Sequence, residues 1–382
     1  MIDGCPTMVE GKTGSSVIMS NRRWGLTPLI IILCILSAVA FVPVVAQQQA
    51  QKVDKKVLKA QEADLDAIIK VSNAVLMGQE PAPTDYALTF RSDFLKAQDG
   101  KTFVPFTVTV DPSQVPPGQN VTFFVRVVAK TPPAASAPDA KKDDRNKKGA
   151  GPEFVHQDAS FITAAAPAKP GDPFKISRAF AVLPGEYDVY LALKERLPID
   201  AKNREKTPTK MGILKQTVGV PNLWTDSLLT SSIIVADKVE TLTEPLTREQ
   251  QIEQPYTFGL TQITPALVNR FTKKGEISLL FLIYNTAMDA DKKPDVSVDY
   301  NFYQKDAAAE NGEKFFNRTN PQVFNAKTLP PQFDPALGHQ LVAGQSLPLG
   351  SFPEGEYRLE VTVTDKLSGK SITHNVSFTV TA

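Results

Sequence analysis

After Cys34 this 382-residue sequence has no cysteine, and its other one is Cys5. Beyond that opening segment the chain can form neither disulfides nor thiolate metal sites, so its stability has to come from buried surface. Histidine is scarce as well: His156, His339 and His374 are the only three, and no two share the i, i+4 spacing of a zinc-protease helix. Neither a G-x-x-x-x-G-K-[ST] loop nor a G-x-G-x-x-G turn is present, which removes the usual phosphate cradles. An excess of one charge is missing too, since the formal net charge is +1. That balance provides no basic field for nucleic acid. Only one apolar run, Leu29 to Val45, approaches the length of a membrane span.

That run follows Arg22 and Arg23 and is broken only by Ser37 and Pro43. Val44 and Ala46 stand three and one positions before Gln47, the spacing that a signal peptidase reads, so residues 1–46 are expected to be a signal peptide or, uncleaved, a signal anchor through residues 29–45. A start at Met19 would give the signal an ordinary length. Either way the two arginines keep the N-terminal side in the cytoplasm, and the chain after Gln47 is expected to be exported: periplasmic, cell-surface or secreted. Cys34 lies inside the apolar run behind Ile32 and Leu33, which does not fit a lipoprotein signal. Without residues 1–46 the chain keeps 39 basic and 39 acidic residues.

Residues 51–77 place Leu58, Leu65, Ile68 and Val75 at three-and-four spacing among Lys, Asp and Glu, which predicts an amphipathic helix. With Gln61 and Ser72 in its seam, such a helix suits packing on a neighbouring domain or a stalk better than a self-associating coiled coil. From Asp85 the period changes to two. Phe106, Val108 and Val110 alternate with threonines, and Val121, Phe123, Val125 and Val127 follow a Pro-Pro-Gly turn. Short alternating runs between turns, in a chain with thirty prolines, predict an all-β sandwich. The expected organisation is a first sandwich over 85–236, a linker over 237–254 and a second sandwich over 255–382. Within the first, TPPAASAPDAKKDDRNKKGAG over 131–151 has no large apolar residue and predicts a disordered loop between two strands. In the second, Ile277 to Tyr284 is apolar on both faces and should be a central strand, while Ile372, Val376, Phe378 and Val380 mark the inner face of the last one.

One stretch occurs twice. LPGEYDVYLAL from Leu183 to Leu193 and PEGEYRLEVTV from Pro353 to Val363 share a Gly-Glu-Tyr that opens an alternating strand, with Tyr187 and Tyr357 standing 170 residues apart. The motif resembles the tyrosine corner of immunoglobulin-like sandwiches, in which the phenol bonds back to upstream backbone. Two residues on, where antibody domains carry a cysteine, stand Val189 and Leu359. The resemblance is therefore to cysteine-free immunoglobulin-like or fibronectin-type modules of exported bacterial proteins of uncharacterised function. It implies two tandem immunoglobulin-like β-sandwich domains, preceded by the amphipathic helix, with Tyr187 and Tyr357 in structural roles.

Candidates for chemistry are few. His374 shares the parity of Ile372 and Val376 and should be a hydrogen-bonded, partly buried histidine. Asp289, Asp291, Asp295 and Asp299 could converge on calcium, but Lys292 and Lys293 sit among them and the glycine of an EF-hand is absent, so a solvated turn is the simpler expectation. Gly344 to Pro348 falls one glycine short of a nucleophile elbow. Tyr190 beside Asp188 and Tyr303 beside Asn301 are on outward parity, where aromatics can stack on a sugar ring. No catalytic, cofactor-binding or metal residue emerges, and no cofactor is implied. The expected function is a non-catalytic cell-envelope or secreted protein that binds another envelope or extracellular protein. The alternative is a carbohydrate or peptidoglycan-binding module, and a hydrolase with a spatially assembled site is the third reading.

Overall fold

The computed structural model describes residues 55–131 and 154–382. Residues 1–46, expected as the signal, and nearly all of the 131–151 loop lie outside the described residues. A helix, α1 (Lys55–Leu76), leads into two β-sandwiches. Its sequence has no internal Gly or Pro, and it ends where Gly78 takes φ 67°. There the Gly78 N–H donates to the Val75 carbonyl (3.0 Å) and the Gln79 N–H to that of Ala74 (2.8 Å), the Schellman arrangement that satisfies the last carbonyls.

The first sandwich is all-β, as expected. One sheet holds β1 (Thr89–Ser92), β2 (Leu95–Lys96), β3 (Thr102–Val110) and β6 (Phe174–Val182), with β3 bonded to the other three; the second runs β5 (Phe154–Thr163), β4 (Asn120–Ala129), β7 (Gly185–Glu195), β8 (Met211–Val220). Phe106, Val108, Phe123, Val125, Val189 and Leu191 meet between the sheets, each buried, on the parity that the alternation predicts. The second sandwich repeats the plan. β9 (Leu229–Thr230), β10 (Ile234–Thr241), β11 (Thr257–Phe258), β12 (Thr261–Pro265), β14 (Glu276–Tyr284) and β18 (Leu341–Pro348) form one sheet, and β13 (Arg270–Thr272), β15 (Val296–Lys305), β16 (Glu313–Arg318), β17 (Gln322–Phe324), β19 (Gly355–Asp365) and β20 (Lys370–Thr381) the other. β14 is central, flanked by β10 and β18.

The boundary between the sandwiches differs from the expected one. The apolar pattern places residues 228–236 in the first sandwich, yet Ile234, Val235 and Ala236 pair with Leu280, Leu279 and Ser278, and Leu229 pairs with Tyr284. The expected linker 237–254 is also structured. β10 runs on to Thr241 against β12, and α2 (Arg248–Glu253) starts at a capping box in which Thr247 and Gln250 bond each other's backbone N–H groups. An apolar run specifies a strand but not the sheet that adopts it, which is why the pattern misplaced this one.

Each Gly-Glu-Tyr opens the penultimate strand of its sandwich. Tyr187 Oη donates to the Leu183 carbonyl and Tyr357 Oη to that of Pro353, both at 2.7 Å and both four residues back, with both rings buried. These are tyrosine corners, as the repeat implies. Gly355, at φ 147°, takes a backbone conformation that side chains disfavour. Tyr357→Phe is expected to cost about 1 kcal/mol through the lost hydrogen bond, read from the denaturant midpoint; an unchanged midpoint would count against a structural role for the phenol.

Helix α1 lies on the outer face of the β5-β4-β7-β8 sheet. Ile68 packs with Phe124, Ala192, Met211 and Ile213, so packing on a neighbouring domain is the arrangement found. The buried stripe is Ala60, Asp64, Ile68 and Ser72, while Leu58 is exposed. Asp64 is almost completely buried. Its carboxylate accepts from Lys194 Nζ (2.8 Å), Arg196 Nε (3.3 Å) and Arg204 Nη2 (3.3 Å).

Candidate functional site

The two sandwiches dock through buried polar contacts as well as apolar ones. Between β1 and β2, the Phe94 N–H donates to Ser232 Oγ and the Ser232 N–H to the Phe94 carbonyl, each at 2.9 Å. Tyr256 Oη donates to Asp93 Oδ2 at 3.0 Å; both residues are buried, and desolvation pushes the Asp93 carboxyl above the usual carboxylate range. Arg91 bonds the Ala266 carbonyl, and Arg178 reaches Glu253 of α2 at 3.7 Å. Leu95 and Leu223 pack with Leu282 and Tyr284 across the junction.

A cleft of about 290 Å³ opens at the edge of this junction, lined from both sides. The first sandwich contributes Lys96 from β2 and Trp224 from the turn after β8; the second contributes Tyr284 and Asn285 at the end of β14, Met288, and the loop Phe333 to Leu341. Alternation along β2 buries Leu95 in the junction and leaves Lys96 to reach across it. The backbone N–H of Lys96 donates to Tyr284 Oη (3.1 Å) and its Nζ to Asn285 Oδ1 (2.9 Å). The same Nζ stands 4.5 Å from the Trp224 ring centre and 5.4 Å from that of Tyr284, so two aromatic faces flank the ammonium. Trp224 is held by Asn222, whose Oδ1 accepts its N–H (2.9 Å), and by its own Nε1–H, which donates to the Lys101 carbonyl (2.8 Å); it remains 38% exposed.

On the far wall, Asp334 caps a short 3-10 turn over Pro335–Leu337 and donates its backbone N–H to His339 Nδ1 (3.0 Å). With Nδ1 an acceptor, the proton of the neutral ring sits on Nε2. Phe333, His339, Gln340 and Leu341 also line an adjoining hollow of about 410 Å³, shared with Phe324, Leu329 and Val342. Burial draws the Lys96 ammonium below the ordinary lysine range and pushes the Tyr284 phenol well above its own. The lining holds a cation, amide and imidazole donors, and aromatic surface, but no serine, cysteine or carboxylate.

The residues singled out by sequence are dispersed. Of the three histidines, only His339 lines the cleft. His156, in β5, packs on Phe180 with its Nε2 buried and unpartnered; His374 bonds Thr230 Oγ1 through Nε2 (2.9 Å), and burial lowers the pKa of both rings. Asp289 Oδ1 accepts the backbone N–H groups of Asp291 (2.9 Å) and Lys293 (2.8 Å), as in a closed turn, while Asp295 faces Lys366 at 3.7 Å. Among the described residues no group of three or more His, Cys, Asp or Glu is placed to hold a metal. Ser346 lies within β18 and bonds Ser278 Oγ at 2.6 Å across to β14, which is a strand pair and not an elbow. Tyr190 is buried, under Lys215 Nζ at 5.6 Å from its ring, and Tyr303 has the Arg358 guanidinium 4.2 Å from its ring and Phe315 at its side. Of the two tyrosines expected to offer a sugar-stacking surface, Tyr190 is covered, and Tyr303 is half-buried with Arg358 over its ring. Lys96, Trp224 and Asn285 carried no motif; the usable signal was Trp224, one of only two tryptophans in the sequence.

Among the described residues no helix is long and apolar enough to cross a membrane. No protein-family model matches the chain, and neither does any curated protein. Among solved structures, a Salmonella alpha-2-macroglobulin reacted with methylamine is 12% identical with a TM-score of 0.20, over 79% of this chain and 17% of that one. The native conformation of E. coli alpha-2-macroglobulin is 11% identical, TM-score 0.20, over 79% of this chain and 16% of that one. This chain thus spans about a sixth of those molecules, and a likeness at these TM-scores bears on neither activity nor partner.

Proposed function

We propose that the chain is a non-catalytic interaction protein, exported to the envelope or secreted, which holds a partner protein at the cleft between its sandwiches. The observation that carries this reading is the cleft itself: Lys96 and Trp224 from one sandwich face Asn285 and His339 from the other, a cation, an indole, an amide and an imidazole with no carboxylate beside them. Walls fixed by the hydrogen bonds of Lys96 to Tyr284 and Asn285, and of Trp224 to Lys101, are preorganised, so little ordering cost attends binding. With Met288 replaced by p-benzoylphenylalanine, the intact chain is expected to form one discrete photo-adduct with another protein in its native envelope, and Trp224→Ala to abolish it. An adduct formed only with itself, or one indifferent to Trp224, would sink the proposal, as would turnover of a hydrolase substrate.

A glycan is the second reading, favoured by Trp224, a partly exposed indole of the kind that stacks on sugar rings. Retention on insoluble peptidoglycan that disappears in Trp224→Ala would select it.

A further inference from the structure

We propose that the cleft recognises a carboxylate carried on an apolar arm, with the charge received by Lys96 Nζ and the arm lying along Trp224 and Met288. The inference rests on the cleft as the binding site and names the chemistry of what enters it.

Lys96 carries three donors and uses one side-chain acceptor, Asn285 Oδ1 at 2.9 Å. It has no ion-pair partner among the described residues, and the cleft lining contains neither Asp nor Glu. Lys194 shows the contrast: it is also withdrawn from water, but Asp64 answers it at 2.8 Å. A positive charge taken partly out of water and left without a negative one is costly, and an incoming carboxylate offsets that cost. Aromatic faces help the ammonium, yet they supply no acceptor for its remaining N–H groups. His339 adds a second donor, because its Nδ1 is occupied by Asp334 and its Nε2–H is left for a ligand. Trp224 and Met288, each 38% exposed, give the apolar surface beside the charge. A volume of about 290 Å³ lies at the small end of ligand sites, roughly 300–1,000 Å³, and suits one side chain or a chain terminus. A phosphate group would carry a second negative charge, for which the lining offers no second cation.

The test uses the full chain carrying Trp24→Phe, so that Trp224 is its only indole and reports binding by fluorescence. 3-Phenylpropanoate is expected to give a saturable change, and 3-phenylpropanamide to bind about tenfold more weakly or worse. Lys96→Gln should weaken the acid by a similar factor and leave the amide unchanged, while Lys96→Arg, which keeps the charge, should retain most of the affinity; thermal melts verify that both variants fold. Two peptides separate the sources of the carboxylate, one with a free C-terminal phenylalanine and one acetylated and amidated around a single glutamate. Tighter binding by the first assigns a chain terminus and by the second an acidic side chain. Equal affinity for acid and amide, or an acid affinity indifferent to Lys96→Gln, overturns the proposal. A photo-adduct at position 288 that survives Lys96→Gln removes the carboxylate but leaves the partner reading, whereas phenylpropanoate binding without any adduct does the reverse.

Discussion

Asp64→Ala is expected to destabilise the first sandwich by about 3–5 kcal/mol, the cost of leaving a buried cation without its counter-charge. Lys194 is the residue stranded. Its side chain is 7% exposed and points from β7 towards α1, where Asp64 Oδ1 meets its Nζ at 2.8 Å. Arg196 and Arg204 are more exposed and can turn towards water, so the loss comes chiefly from the lysine. Removing the lysine as well should therefore restore most of the stability: the double variant Asp64→Leu with Lys194→Met is expected to unfold within about 1–2 kcal/mol of the parent, because a packed apolar pair replaces a buried ion pair at little net cost. Urea titrations of the parent, the single variant and the double variant measure all three. A single variant as stable as the parent would mean that α1 does not depend on this ion cluster for its seat.

In the second sandwich the largest effect is expected from Phe352→Ala, about 3–5 kcal/mol for a large buried ring replaced by a methyl group. Phe352 is 1% exposed and stands at the centre of an aromatic group: Phe316 lies 4.8 Å from it between ring centres, Tyr357 5.3 Å and Phe302 5.4 Å. Phe302 belongs to β15 and Tyr357 to β19, neighbours in one sheet, so the ring in the preceding turn caps the end of the core. Its removal leaves a cavity that neighbouring paired strands cannot close. The denaturant midpoint should fall at unchanged slope, and a fall below about 1 kcal/mol would show that the cluster repacks.

Most of the strand pattern was legible in the sequence because each sheet buries one face. Phe106 and Val108, or Val296, Val298, Tyr300 and Phe302, announce themselves by parity alone. The tyrosine corners were legible because a Gly-Glu-Tyr demands a particular turn before a particular strand. Parity fails where the second face is also covered. Tyr190 does point away from the core of its own sandwich, but α1 roofs that sheet, as Ala192 two residues on shows by packing with Ile68. The helix in the expected linker was signalled by Thr247 and Gln250 at capping-box spacing, yet it has no buried residue and so no apolar stripe to reveal it. The cleft was illegible for a different reason. Lys96, Trp224, Asn285 and His339 come from four separate segments, and only the docking of two sandwiches brings them to one place.

That docking also limits how far the chain behaves as two parts. The repeated strand marks two copies of one plan, and copies of a plan usually remain separable. Here a cut at residue 236 would divide β10, taking Ile234 to Ala236 away from β14, and would bare Leu95 and Leu223 on the first sandwich. Asp93 and Tyr256, each other's partners across the junction, would part as well. Each half has become part of the other's cover, so that exchanging, deleting or expressing either one alone exposes what the other half was covering.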